Sequence, residues 1–201
     1  MNEHYFSTSP AAAGPTREID VVLRGAAVRV TTAPGVFSGD RLDPGTRVLL
    51  DAVADPPATG TLVDLGCGWG PIALAMAAAS PQARVVAVDV NERARELTAR
   101  NAAALGLGNV VVAAPEEAGP LVADGIDELW SNPPIRVGKA VLHDLLRTWL
   151  GRLAPGGRSQ LVVGKNLGAD SLQRWIQAEL GLPTDRLASS KGFRVLTVHA
   201  G

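Results

Sequence analysis

From residue 58 onward the chain switches hydrophobic period again and again. Short valine-rich apolar runs predict buried strands: "TLVDLG" (61–66), "ARVVAVDV" (83–90), "NVVVAA" (109–114), "GIDELWS" (125–131) and "RSQLVVG" (158–164). Longer segments between them predict helices: "GPIALAMAAAS" (70–80), "NERARELTARNAAALGLG" (91–108), "GKAVLHDLLRTWLGRLAPGG" (138–157) and "ADSLQRWIQAELG" (169–181). Asn91 is placed to cap the second of these. The third has apolar residues at 141, 142, 145, 146, 149, 150 and 153 and is expected to stop at Pro155-Gly156-Gly157. "DRLASSKGFRVLTVHA" (185–200) predicts two strands around Lys191-Gly192. Strands and helices in alternation imply an α/β fold, with a mostly parallel sheet covered on both faces.

The segment before residue 58 has a different pattern. "EIDVVLRGAAVRVTT" (18–32) predicts a hairpin turning at Arg24-Gly25, and a short helix is expected from about Asp43 to Ala54, closed by Pro56-Pro57. Residues 1–17 are small, polar and proline-rich and are expected to be loosely ordered. The whole chain, 1–201, is expected to be one domain, with 1–57 an extension of the core at 58–201.

Composition narrows the classes. The longest apolar run, Pro71 to Ala79, is far short of the roughly 20 residues a bilayer requires. The start "MNEHYFSTSP" lacks a secretory signal pattern, and the single Cys67 has no partner for an internal disulfide, so a cytoplasmic location is expected. The net charge of -1 hides an asymmetry: residues 1–135 carry 9 Lys+Arg and 16 Asp+Glu, residues 136–201 carry 10 and 4. This reads either as chance in an arginine-rich chain or as a basic face that meets phosphates.

"VDLGCGWGPIAL" puts Gly66, Gly68 and Gly70 between the first core strand and its helix, where bare backbone can approach a ligand. The dinucleotide pattern G-x-G-x-x-G fails because position 71 is proline, which counts against a nicotinamide or flavin enzyme. Asp89 ends the next strand and can either bind both hydroxyls of a ribose or cap the following helix. Asp64 can reach a ligand's ammonium group or merely solvate a strand end. In "LWSNPPIRVGK" (129–139), two prolines stand behind Asn132, removing two backbone donors and stiffening a corner that bears an amide and carbonyl oxygens.

Together "DLGCGWG", "VDVNERA" and "SNPPI" resemble the motif set of class I S-adenosylmethionine-dependent methyltransferases. With "GVFSGDRLDPGTRVLL", "LAPGG" and "KGFRVL" the chain is similar to the "methyltransferase small" branch, from about Tyr5 to Val198. That branch includes the small-subunit ribosomal RNA guanine-N2 methyltransferases. The resemblance implies a Rossmann-like seven-stranded sheet, mostly parallel with its last strand antiparallel, and S-adenosylmethionine held by Asp64, Gly66, Cys67, Gly68, Gly70, Asp89, Val90 and Asn132. It also implies a catalytic corner, Asn132, Pro133, Pro134 and Ile135. There the Asn132 side-chain oxygen and the Pro133 carbonyl would bind the two N–H bonds of an exocyclic amine and aim its lone pair at the methyl group. The fourth corner residue departs from the aromatic of many amine-directed members; Phe37 or Trp69 could stack on a base in its place.

Arg136, Lys139 and Lys165 are candidate phosphate contacts, with Lys191 and Arg194 nearby in the late hairpin. His143, beside Asp144 on the polar side of its helix, reads as surface rather than catalytic, and no metal-ligand spacing occurs. The leading expectation is methylation of guanine N2 in ribosomal RNA or the small ribosomal subunit. The rivals are a small-molecule or protein amine as acceptor, and a non-catalytic module that binds S-adenosylmethionine or RNA.

Overall fold

A computed structural model describes residues 14–201. The expectations for the N-terminal segment that fall on residues 1–13 lie outside it. Strands β1 (Arg17–Leu23) and β2 (Ala26–Thr32) form an antiparallel hairpin through Arg24-Gly25. Helix α1 (Pro44–Ala52) follows, with Asp43 as N-cap accepting the Thr46 N–H and proline in the first turn, where a missing N–H costs nothing.

The core then runs β3 (Thr61–Leu65), α2 (Pro71–Ala79), β4 (Arg84–Val88), α3 (Glu92–Ala104), β5 (Val110–Ala113), β6 (Ile126–Ser131), α4 (Lys139–Leu150), β7 (Leu153–Gly164), α5 (Ala169–Trp175), β8 (Thr184–Ser190) and β9 (Phe193–His199). Seven strands form one sheet in the order β5-β4-β3-β6-β7-β9-β8. The pairings β5–β4, β4–β3, β3–β6 and β6–β7 are parallel, and β9 is antiparallel to both of its neighbours. The Rossmann-like, mostly parallel sheet with an antiparallel last strand is therefore as expected.

Alternate residues of the strands enter two apolar layers. Leu62, Val85, Ala87, Trp130 and Val162 face α1, α2, α3 and the hairpin; Val63, Val86, Leu129, Leu161 and Val163 face α4 and α5. The N-terminal extension belongs to the first layer. Asn101 of α3, fully buried, receives the Thr31 N–H at 2.7 Å and donates to the Thr31 and Trp69 carbonyls at 2.9 Å. One side chain thus ties the hairpin to the glycine loop.

Two expectations need correction. Helix α4 ends at Leu150, not at the proline–glycine run, because Leu153 already pairs with Ile126 as the start of β7. Pro155-Gly156-Gly157 forms a bulge there: Leu153 pairs with Ile126, but Arg158 pairs with Glu128. A Cβ on Gly157 would lie 2.5 Å from the Ile126 carbonyl oxygen, so only glycine allows the strands to close up again. The last predicted helix is also irregular, passing into a π-helical turn at Ile176–Leu180.

Candidate active site

The carboxyl ends of β3, β4, β6 and β7 lie on one edge of the sheet, as expected for ligand binding in an open α/β sheet. Gly66 and Cys67 donate to the Val88 carbonyl at 2.8 and 3.0 Å, joining the loop after β3 to the end of β4. Gly66, Gly68 and Gly70 have φ of +82°, +58° and +98°. Such values suit glycine alone at low cost. A Cβ on Gly66 would meet no atom within 4 Å, so the space above this glycine is open to a ligand.

Asp64 is completely buried. Its Oδ2 accepts the Ala73 N–H at 2.8 Å in the first turn of α2, while Oδ1 has no partner. Burial pushes its carboxyl up to about 8; the Ala73 bond opposes this and Asp89 adds to it. Asp89, half-buried, receives the Gly68 N–H on one oxygen and the Asn91 N–H on the other, each at 2.9 Å. Its pKa is raised, burial outweighing these bonds. Asp89 thus orders the glycine loop and the approach to α3, and each oxygen keeps acceptor capacity for a further donor. Asn91, not Asp89, caps α3 through the Arg93 N–H. The Val90 carbonyl, with that of Asp89, accepts from Arg95. Cys67 is buried beside the Thr98 hydroxyl, and burial raises its thiol pKa, which suits a small loop residue.

Asn132 follows β6, whose last residue, Ser131, donates to the Leu65 carbonyl at 2.7 Å and so fixes this corner against the glycine loop. The Asn132 amide nitrogen donates to Asp43 Oδ1 at 2.8 Å and to Thr46 Oγ1 at 3.1 Å. A carboxylate only accepts, so the amide orientation is dictated by chemistry and Oδ1 of Asn132 is the free end. One pocket is lined by Phe37, Asp43, Thr46, Gly66, Gly68 and Asn132, among others. Neither Asp43 nor Thr46 stood out in the sequence. "LDPGT" announces a helix cap, but nothing local shows that the cap also holds an asparagine far along the chain.

The corner differs from expectation in one respect. The Pro133 carbonyl accepts the Ile135 N–H at 2.8 Å, with Pro134 at φ -75° and ψ 74° in an inverse γ-turn. The prolines do not clear that carbonyl of donors; one lone pair is taken and one remains. Ile135 packs against the layer formed with α4 and α5. Trp69 also lines the pocket, but it is only 1% exposed, packed in the other layer with Nε1 bonded to the Ser38 carbonyl, so it has little surface to stack on a base. Phe37 is 46% exposed on the pocket.

Arg136, Lys139, Lys165 and Lys191 are exposed and form no ion pair among the described residues. Arg136 and Lys139 follow the corner directly, and Lys165 follows β7, the strand next to β6. Arg194 instead pairs with Asp170, which Arg186 also contacts. His143 stacks on Trp175 at 3.7 Å, away from the residues that line the pocket. No group of His, Cys, Asp or Glu among the described residues could hold a metal ion, and no described helix is long and apolar enough to cross a membrane.

Known proteins resemble this chain in both sequence and fold. YbxB of Bacillus subtilis is 34% identical over 197 residues, covering 98% of both chains. The ribosomal RNA small subunit methyltransferase C of Pseudomonas aeruginosa is 35% identical over 183 residues, 86% of this chain and 51% of that protein. In structure the chain resembles the Thermus thermophilus 16S rRNA N2 methyltransferase RsmC, solved in complex with AdoMet and guanosine. The TM-score is 0.80 at 24% identity, over 96% of this chain and 52% of that one. The chain thus spans about half the length of these methyltransferase relatives. Methyltransferases of this kind use S-adenosylmethionine, and the residues fit it: an open space over Gly66, a buried carboxylate oxygen without a partner at Asp64, and an acid at the end of β4. The methyltransferase small domain profile matches residues 27–197, and the chain belongs to that family.

Proposed function

We propose that this protein transfers a methyl group to an exocyclic amine, most directly guanine N2 in ribosomal RNA. The observation that carries the reading is Asn132, a residue lining the pocket, whose two amide N–H groups are engaged by Asp43 and Thr46 and whose oxygen is left as the free acceptor. Asp64 would hold the cofactor's ammonium and Asp89 its ribose, with Gly66 to Gly70 and Val90 along its length. S-adenosylmethionine, when bound, supplies the electrophilic methyl group.

An exocyclic amine is a poor nucleophile because its lone pair is delocalised into the ring. Asn132 Oδ1 and the free lone pair of the Pro133 carbonyl can accept its two N–H bonds and turn the lone pair out of the ring plane. No strong base is needed before attack, because the proton leaves after the nitrogen has gained the methyl. Orientation then supplies much of the rate, with about 7–11 kcal/mol available in favourable systems. Ile135 shapes the turn behind the clamp, and Phe37 provides an aromatic surface on the pocket. Arg136, Lys139 and Lys165 would contact phosphates; their lack of acidic partners supports this, as do the names of the relatives.

The test is radiolabelled methyl transfer to small ribosomal subunits, naked ribosomal RNA and total protein, followed by nucleoside analysis. N2-methylguanosine from either RNA sample is the expected product; label only in protein or small molecules would reject the RNA reading. Asn132→Ala should lose about 100-fold or more in turnover, the scale for deleting a preorganised polar group at a reacting centre. Asn132→Asp, which keeps an acceptor oxygen, should retain more. Wild-type turnover in Asn132→Ala would reject the clamp.

A further inference from the structure

We propose that Asp43 is a positioning residue for methyl transfer, acting through Asn132. This rests on the clamp reading above. Asp43 lies 89 positions before Asn132, in the extension that precedes the glycine loop. Its Oδ1 accepts two bonds at once, from the Thr46 N–H at 2.9 Å and from the Asn132 amide at 2.8 Å. The first bond fixes the oxygen on the axis of α1, whose N-terminus also favours the negative charge. The second turns the nitrogen side of Asn132 toward α1. Thr46, buried in the first turn of α1, takes the remaining amide proton through Oγ1 at 3.1 Å.

With both protons held, the amide cannot exchange its ends without setting its own oxygen against a carboxylate. The acceptor oxygen is thereby held on the side away from Asp43 and Thr46 before any substrate arrives. Such preorganisation is what an orientation-driven reaction requires. A helix cap by itself explains less: serine caps as well as aspartate, and it would not span the distance to Asn132.

That difference supplies the test. Asp43→Ser keeps a helix cap but shortens the side chain by one bond, so it should release Asn132. Asp43→Asn keeps an oxygen in the place of Oδ1 and should rescue. The first readout needs no substrate. The side-chain amide signals of Asn132 in a nitrogen–proton correlation spectrum, assigned by their loss in Asn132→Ala, should be protected from exchange in the wild type and in Asp43→Asn. In Asp43→Ser they should move to solvent-exposed positions.

The second readout is turnover at saturating cofactor and acceptor, which should fall on the order of 100-fold in Asp43→Ser while the cofactor KM stays put; that is the scale for a misplacement of about 1 Å. In an Asn132→Ala background, Asp43→Ser should cost nothing further. If Asp43→Ser does not fold, Thr46→Val serves: it preserves the backbone cap, deletes the second acceptor, and should expose one amide proton of Asn132. Unchanged Asn132 signals in folded Asp43→Ser, or in folded Thr46→Val, would overturn the proposal. So would a turnover loss that adds in full to that of Asn132→Ala. A wild-type protein that methylates no acceptor would instead reject the function proposed above, with the spectrum still deciding the role of Asp43.

Discussion

Asp64 sits in an environment far from its ordinary chemistry. Its pKa, pushed up to about 8 by burial, exceeds the ordinary 3.8, so on raising the pH the unfolded carboxyl ionises before the folded one. Its contribution to stability is then complete below about pH 4, declines between about pH 4 and 8, and is constant above that. Replacing Asp64 with Asn should flatten that part of the stability profile, measured by thermal melts across the range. A cofactor ammonium favours the ionised form. S-adenosylmethionine affinity should therefore rise from pH 6 to 7.5, by at most about tenfold per unit, with proton release on binding. Calorimetry in buffers of different ionisation enthalpy measures that release; a pH-independent affinity would remove Asp64 from contact with the ammonium. Asp89→Ala should weaken the cofactor by about 1.5–3 kcal/mol, the range for hydrogen bonds to a charged group. It also releases the Gly68 and Asn91 N–H groups, so part of the loss is disorder in the loop.

At the scale of elements, the extension is part of the site's construction. In the first layer α1 packs against β7, β8 and β9 and the hairpin against α3, where Asn101 substitutes for a neighbouring strand by pairing with both the N–H and the carbonyl of Thr31. Asn101→Ala would leave the Thr31 N–H and two carbonyls buried without partners. Urea unfolding should show a loss of about 2–4 kcal/mol, more than an ordinary surface substitution costs. The bulge in β7 is a second control point. Gly157→Ala forces a Cβ against backbone oxygens of Ile126 and Ala154 that cannot rotate away. It should destabilise by about 2 kcal/mol or more, with the β6–β7 pairing the first to lose amide protection in hydrogen exchange.

For the whole molecule, the basic final third is less uniform than its net charge implies. Arg147, Arg158, Arg186 and Arg194 are paired to carboxylates, and Arg152 lies over the Trp149 ring. The cations left over are Arg136, Lys139, Lys165, Arg174 and Lys191; all but Arg174, which lies in α5, follow the carboxyl ends of β6 and β7 or sit at the β8–β9 turn. If RNA is the substrate, its affinity should fall steeply with salt while cofactor affinity hardly changes. Replacing Arg136, Lys139 and Lys165 with Ala should lower the slope of log K against log salt by about one for each phosphate no longer neutralised. An unchanged slope in a titration monitored by fluorescence anisotropy would place the RNA surface elsewhere.

The alternation of short valine runs with helical segments determined the sheet, because burial on both faces leaves strands no other composition. The glycine loop, the acids within β3 and after β4, and Asn-Pro-Pro were legible for a similar reason: the chemistry constrains residue type within a few positions. What lay beyond that range was misread or missed. Pro155-Gly156-Gly157 looks the same whether it ends a helix or bulges a strand, and only the pairing of Leu153 with Ile126 decides. Trp69 and Phe37 both line the pocket, but packing buries the first and leaves the second exposed. Most of all, the partners of Asn132 were decided by tertiary structure. Asp43 and Thr46 lie 89 and 86 positions away, and a hydrogen bond is set by distance in space, of which separation along the chain carries no record.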